Sequence, residues 1–284
     1  MIEIEIRYEA TYQYEDTASF SPHLVRLLPR NGFAVRTDRS KITTNEGTDV
    51  QYRQDIFDNL VAYCFYPKEL DHLTYKLELD LRLEEKNPFH FLLATHALNV
   101  PFNYTPEEAS VLSAYITPRQ ALGPIPEALD RPTKEIPTVD WLVGLNSWLH
   151  ENIEYERRDE GEAYAPEQTL ALMKGSCRDY AVLAAEVLRH HGLAARLVSG
   201  FSWEEETPEE DRRAENALHA WVETYLPGAG WVGIDPTNGI FCGHHFIATA
   251  VGLTPAHIAP VHGHYYGKKT INSTLTTNLS IRRK

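Results

Sequence analysis

A chain of 284 residues with 43% hydrophobic and 24% charged side chains has an ordinary globular composition, and it is longer than one typical domain. Its net charge of −13 argues against a nucleic-acid-binding surface and against attraction to anionic membranes. Three cysteines, Cys64, Cys177 and Cys242, are too few for a disulfide framework and fit a reducing compartment.

The opening Met1-Ile-Glu-Ile-Glu-Ile-Arg lacks the basic start and continuous apolar stretch of a signal peptide, and no run is long and apolar enough to span a bilayer. A cytoplasmic location is the expectation. Ile2, Ile4 and Ile6 alternate with Glu3, Glu5 and Arg7, and Tyr8, Tyr12 and Tyr14 continue a strand-rich run. Residues 55–66 suggest a hairpin turning at Asp58-Asn59. Over residues 73–84 the alternation is clearest, with Leu73, Tyr75, Leu77, Leu79, Leu81 and Leu83 on one face and polar residues on the other. Strands spaced by turn signals predict a β-sandwich, with Cys64 buried between aromatic residues and inert.

Residues 87–138, broken by prolines, read as a connection with some helix. Trp141, Leu142, Leu145, Trp148, Leu149 and Ile153 then form one helical face, which is a core stripe. Pro166 starts a short helix that delivers the chain to Gly175-Ser-Cys-Arg-Asp-Tyr-Ala181. Gly175 and Ser176 act as stop and cap, and Leu183, Val187 and Leu188 carry the helical period up to His191-Gly192. Cys177 therefore falls in the first turn of a helix, where unpaired N–H groups and the dipole lower a thiol pKa. A free cysteine is also commonly just a small buried hydrophobe, so this position alone does not establish chemistry. Asp179, in the same turn, is expected to stabilise the helix.

Residues 217–226 alternate as a strand, with His219 and Trp221 on one face. Pro227-Gly-Ala-Gly230 turns, and Trp231-Val-Gly-Ile-Asp-Pro-Thr237 returns. The hairpin brings His219 near Asp235, with the register left open. A thiol at a helix start, an imidazole on one strand and a carboxylate on the next are what a nucleophile, its base and its orienter require. Trp221 fits either a cleft wall or the core. The acidic run Glu204-Glu-Glu-Thr-Pro-Glu-Glu-Asp211 reads as a solvated loop that could flank a cleft.

The blocks Gly175-Ser-Cys-Arg-Asp-Tyr-Ala181, Val198-Ser-Gly-Phe201, His219-Ala-Trp-Val-Glu223 and Trp231-Val-Gly-Ile-Asp-Pro-Thr-Asn238 resemble the core of the bacterial transglutaminase-like superfamily. The tyrosine-rich opening, Arg26-Leu-Leu-Pro29 and Asn87-Pro-Phe89 resemble the N-terminal domain that accompanies it. The resemblance implies an α+β protein: an N-terminal β-sandwich followed by a papain-like core, its Cys-bearing helix packed on an antiparallel sheet. The expected division is an all-β domain at 1–105, a connection at 106–139 and a catalytic domain at 140–284. It also implies Cys177 as nucleophile, His219 as general base and acid, and Asp235 as the group orienting His219. The activity implied is that of a cysteine peptidase or amidase acting on peptide or protein amides through a thioester, without cofactor or metal. Amine-transferring crosslinking, or a non-catalytic binding module on the same fold, are the alternatives.

Cys242, His244, His245, His257, His262 and His264 are ligand-type residues within a short span. Their spacing lacks the pairs of familiar structural zinc sites, and no metal is expected. Residues 270–283 alternate as a final strand.

Overall fold

A computed structural model describes residues 1–30, 32–130, 132–158, 161–204, 217–267 and 271–284. The first strand, β1 (Ile2–Phe20), precedes β2 (His23–Val25), β3 (Val35–Thr43), β4 (Asp49–Gln54), β5 (Leu60–Phe65) and β6 (Leu70–Leu83). Period-two patterning drives their association. β1 and β6 run antiparallel with Ile4 opposite Leu81 and Ile6 opposite Leu79, so both apolar rows fall on one face. Each fully buried Leu or Ile there contributes about 1.5–3 kcal/mol. A second sheet built on β4, β5 and β2 closes over that face, and Val25, Ala62 and Cys64 share one core with Ile4, Ile6 and Leu77. The expected sandwich and the Asp58 turn are both present, with Asp58 left-handed at φ 62°. Burial pushes the Cys64 thiol up to about 12.

The middle of the chain leads into a second core, against which Phe91, Leu93 and Phe102 pack. A two-residue ladder joins β7 (Asn99–Val100) to β8 (Ile136–Pro137) on either side of α1 (Pro106–Ile116). Helix α2 (Thr138–Asn152) buries Trp141, Leu142, Leu145 and Leu149, the predicted stripe. Next come β9 (Glu154–Tyr155), α3 (Pro166–Leu172), β10 (Lys174–Gly175) and α4 (Cys177–His190), with β9 and β10 paired in parallel.

Helix α4 is buried from Asp179 to Arg189. It packs on an antiparallel sheet of β11 (Ala195–Ser202), β12 (Ala217–Leu226), β13 (Gly230–Asp235), β14 (Ile240–Phe241) and β15 (Phe246–Gly252), in the order β14-β13-β12-β11-β15. Ala220, Val222 and Leu226 of β12 face the helix, while Trp221 joins Val198, Cys242, Phe246 and Val251 in a separate cluster on the opposite face. No helix among the described residues is long and apolar enough to cross a membrane.

The C-terminal stretch departs from the expected division at 140–284. After α5 (Pro255–Ile258), β16 (Val261–His262) joins β2, β17 (Tyr265–Tyr266) joins the end of β1, and β18 (Ser273–Arg283) runs along β1 for eleven paired residues. The last strand thus belongs to the first sheet. Its alternation predicted a strand correctly, but a period of two carries no information about which distant edge supplies the partner. The ligand-type residues of this stretch disperse in the same way. Cys242 is buried, His244 and His245 pack on Trp203, His257 lies on Phe57, and His262 and His264 meet beside His23.

Candidate active site

The nucleophile end is built by short-range contacts. Asp179 is fully buried, and its carboxylate folds back to accept hydrogen bonds from the Ser176 N–H (2.7 Å) and hydroxyl (2.8 Å). It also accepts from the Tyr164 N–H (2.6 Å) and, at both oxygens, from Arg158 Nη2 (2.7 and 2.9 Å). This is a capping box carrying an ion pair, and it fixes the first turn of α4. Gly175 makes room for it: a Cβ there would lie 2.7 Å from the Asp179 Cβ. Glycine, Ser176 cap, Cys177 at the first helical position and returning carboxylate therefore form one geometric unit.

The imidazole end is built across strands. The β12–β13 ladder runs from Leu226–Gly230 to Val222–Ile234, and Asp235 lies one step further along β13. From there it reaches diagonally to His219, whose Nε2 lies 2.9 Å from Asp235 Oδ2. Both residues are buried. Asp235 also accepts from Asn238 Nδ2 (2.6 Å) and the Thr237 N–H (3.0 Å), so the turn after β13 holds its own carboxylate.

Helix α2 props that turn. Asn146 Nδ2 donates to the Ile240 carbonyl (3.2 Å), and His150 Nδ1, one helical turn on, donates to the Thr237 carbonyl (2.8 Å). Gly239, left-handed at φ +68°, passes so close that a Cβ would lie 2.9 Å from the His150 ring.

The two ends meet at the sulfur. Cys177 is partly exposed and hydrogen-bonds to the His219 ring; because Nε2 is engaged by Asp235, Nδ1 is the nitrogen that serves it. The Ala220 N–H, at the stretch of β12 beyond its ladder with β13, also donates to the sulfur. Burial by itself would raise the Cys177 thiol, but the hydrogen bond and charge of His219 outweigh it and bring the thiol below its usual value near 9. Burial would likewise lower His219, yet the charge and hydrogen bond of Asp235, joined by those of Cys177, raise it to about 10. The two shifts favour a thiolate beside an imidazolium. Such a pair is a ready nucleophile with a proton at hand for the leaving group.

All three residues singled out from the sequence are thus brought together. Asp179 has the helix-fixing role expected of it. Trp221 is a core residue, 1% exposed, that also lies stacked 6.4 Å from the His219 ring. Of the acidic run only Glu204 is among the described residues. Sequence reasoning missed Asn238, Asn146, His150, Arg158 and the Ala220 N–H. For Asn238 the signal was the Asp-Pro-Thr-Asn run. For Asn146 and His150 it was their four-residue spacing beside the apolar stripe. Arg158 lies between elements and gave none.

Comparison with known proteins agrees with this architecture. The transglutaminase-like superfamily core model matches residues 130–236, and the model for the bacterial transglutaminase-like N-terminal region matches residues 4–82. Uncharacterized proteins of Mycobacterium tuberculosis and Mycobacterium bovis are 24% identical over 289 aligned positions, covering 97% of this chain and 91% of theirs. A protein-glutamine gamma-glutamyltransferase of Pseudomonas aeruginosa is 40% identical over 65 residues, 22% of this chain and 10% of that one. The crystal structure of a Cytophaga hutchinsonii protein, provisionally named a cysteine protease, has the same fold, with a TM-score of 0.73 at 14% identity over 99% of this chain and 90% of that one. With both regions matched in order and the fold shared from end to end, the chain belongs to the bacterial transglutaminase-like superfamily, a family of cysteine-dependent enzymes.

Proposed function

We propose that the chain is a thiol-dependent acyl-transfer enzyme that hydrolyses peptide or isopeptide amides. The observation that carries this reading is the chain of hydrogen bonds from the partly exposed Cys177, at the start of α4, to the buried His219 and Asp235. The Cys177 thiolate attacks the amide carbonyl carbon, forming a C–S bond and an oxyanion. Imidazolium His219 gives its proton to the amine nitrogen as the C–N bond breaks, leaving a thioester. Water then loses a proton to His219 and attacks the thioester, releasing the acid and the thiolate. The N–H of Cys177 at the helix start is the natural oxyanion donor, and one such donor is worth roughly 10²–10³ in rate. Asp235 stabilises the imidazolium and fixes its tautomer. Three free cysteines fit a reducing, cytoplasmic setting for this chemistry.

Water needs no binding site of its own, so hydrolysis is the outcome unless an acceptor amine is bound in its place. A second reading, amine transfer, is favoured by the 40% identical segment shared with a protein-glutamine gamma-glutamyltransferase. Mass spectra of glutamine peptides incubated with the enzyme and a primary amine separate the two. Hydrolysis appears as loss of ammonia with gain of water, transfer as incorporation of the amine, and either must vanish in Cys177→Ala. If no substrate in a broad panel gives a Cys177-dependent product, the acyl-transfer reading fails and a binding module on this fold takes its place.

A further inference from the structure

The first sheet has two edges, and they are built differently. β3, at one edge, carries Arg36, Asp38, Arg39 and Lys41 and shifts register against β6 between Thr37 and Arg39. Charges and a bulge of this kind guard an edge against further pairing. β18, at the other edge, pairs with β1 for eleven residues without a shift and is uncharged from Ser273 to Ile281. The hydrogen bonds from the Lys284 N–H to the Glu3 carbonyl and from the Glu15 N–H to the Asn272 carbonyl fix the alternation. Even-numbered residues of β18 point their backbone groups at β1, and odd-numbered ones point outward. Leu275, Thr277, Leu279 and Ile281 therefore offer N–H and C=O groups at an edge to which no strand among the described residues pairs. The side chains of that same row continue the sandwich core: Ile281 is buried in it, Leu279 packs on it, and Leu275 is left 41% exposed at the rim.

We propose that this edge is a self-association surface, with β18 pairing antiparallel to β18 of a second copy across a two-fold axis. Full overlap of the eleven-residue strand puts the axis at Asn278. That register sets Leu275 opposite Ile281 of the other copy and Leu279 opposite its Thr277, so the apolar row stays on the core side and Leu275 becomes covered. It also brings the basic end, Arg282 and Arg283, alongside the end of the other copy where Asn272 bonds Glu15. The guarded edge at β3 leaves one side open for pairing, so association stops at a dimer.

Sedimentation velocity across a dilution series tests this. The wild-type chain is expected to reach twice its 32.4 kDa mass. Thr277→Pro removes an outward N–H and no bond to β1, and is expected to be monomeric, folded, and with a thermal midpoint that no longer rises with protein concentration. Should that variant misfold, crosslinking decides. In a Cys177→Ser background, Asn278→Cys places two thiols at a non-hydrogen-bonded pair with Cα atoms about 4.5 Å apart, within disulfide reach. It is expected to oxidise to a covalent dimer at least roughly tenfold faster than Lys41→Cys on the guarded edge, because pairing raises the effective concentration. A chain that stays monomeric throughout, with equal crosslinking at both edges, overturns the proposal. So does a dimer that Thr277→Pro leaves intact while Asn278→Cys fails to crosslink. Neither outcome bears on the acyl-transfer reading, which is measured separately.

Discussion

Two fully buried carboxylates, Asp179 and Asp235, sit at the two ends of the site, and the cation beside each sets its role. Asp179 is bound by Arg158, whose charge is permanent, together with three other donor groups. Those contacts make it a fixture that holds the first turn of α4. Asp235 is bound by His219, whose charge would change in the proposed cycle. The same side chain thus serves folding at one end and chemistry at the other.

Exchanging the effects is the sharpest way to break this comparison. Asp235→Asn is expected to lower kcat/KM by about 10³–10⁴-fold, by favouring the wrong tautomer, with the fold retained in circular dichroism. Asp179→Ala removes the fully buried carboxylate that Ser176, Tyr164 and the half-buried Arg158 share, and is expected to cost about 3–5 kcal/mol in urea denaturation, with activity lost only through unfolding. If Asp179→Ala unfolds normally but kills turnover, or Asp235→Asn does the reverse, the division of roles is wrong.

The pH profile sharpens it further. Cys177 titrates below its usual value, and the thiolate is lost as pH falls through that lowered value. His219 is raised to about 10, so the imidazolium persists below that value and is lost above it. kcat/KM should therefore have an acid limb set by Cys177 and an alkaline limb near 10, and in Asp235→Asn the alkaline limb should move to lower pH. An unmoved limb would assign it to another group.

Smaller effects test the supports. Gly175→Ala presses a Cβ against Asp179 and is expected to cost about 1–3 kcal/mol, again without changing the pH profile. Asn146→Leu removes the buried donor to the Ile240 carbonyl and is expected to cost about 1–3 kcal/mol of stability. Because it loosens the turn that carries Asp235, it should also shift the alkaline limb, which Gly175→Ala does not.

How legible each end was in the sequence follows from the same contrast. Gly175, Ser176, Cys177 and Asp179 lie within one helical turn, so spacing alone exposes the cap and the nucleophile position. His219 and Asp235 lie on adjacent strands, and their hairpin was readable, but the diagonal between them depends on where the β12–β13 ladder ends. Asn146, His150 and Arg158 act from elements distant in sequence, through contacts that no local period encodes. The sandwich was readable from the alternation of β1 and β6 because half of each strand is buried. The destination of β18 was not, because its alternation suits any sheet edge of matching polarity.

Site-resolved alkylation of the three cysteines against pH, in wild type and His219→Ala, reports whether Cys177 and His219 form an activated thiolate–imidazolium pair. Cys64 and Cys242, buried and with raised pKa values, serve as internal controls. Fast labelling of Cys177 well below pH 7, lost with His219, is the expected result. Labelling of Cys177 no faster than an ordinary thiol, or unchanged in His219→Ala, would contradict it.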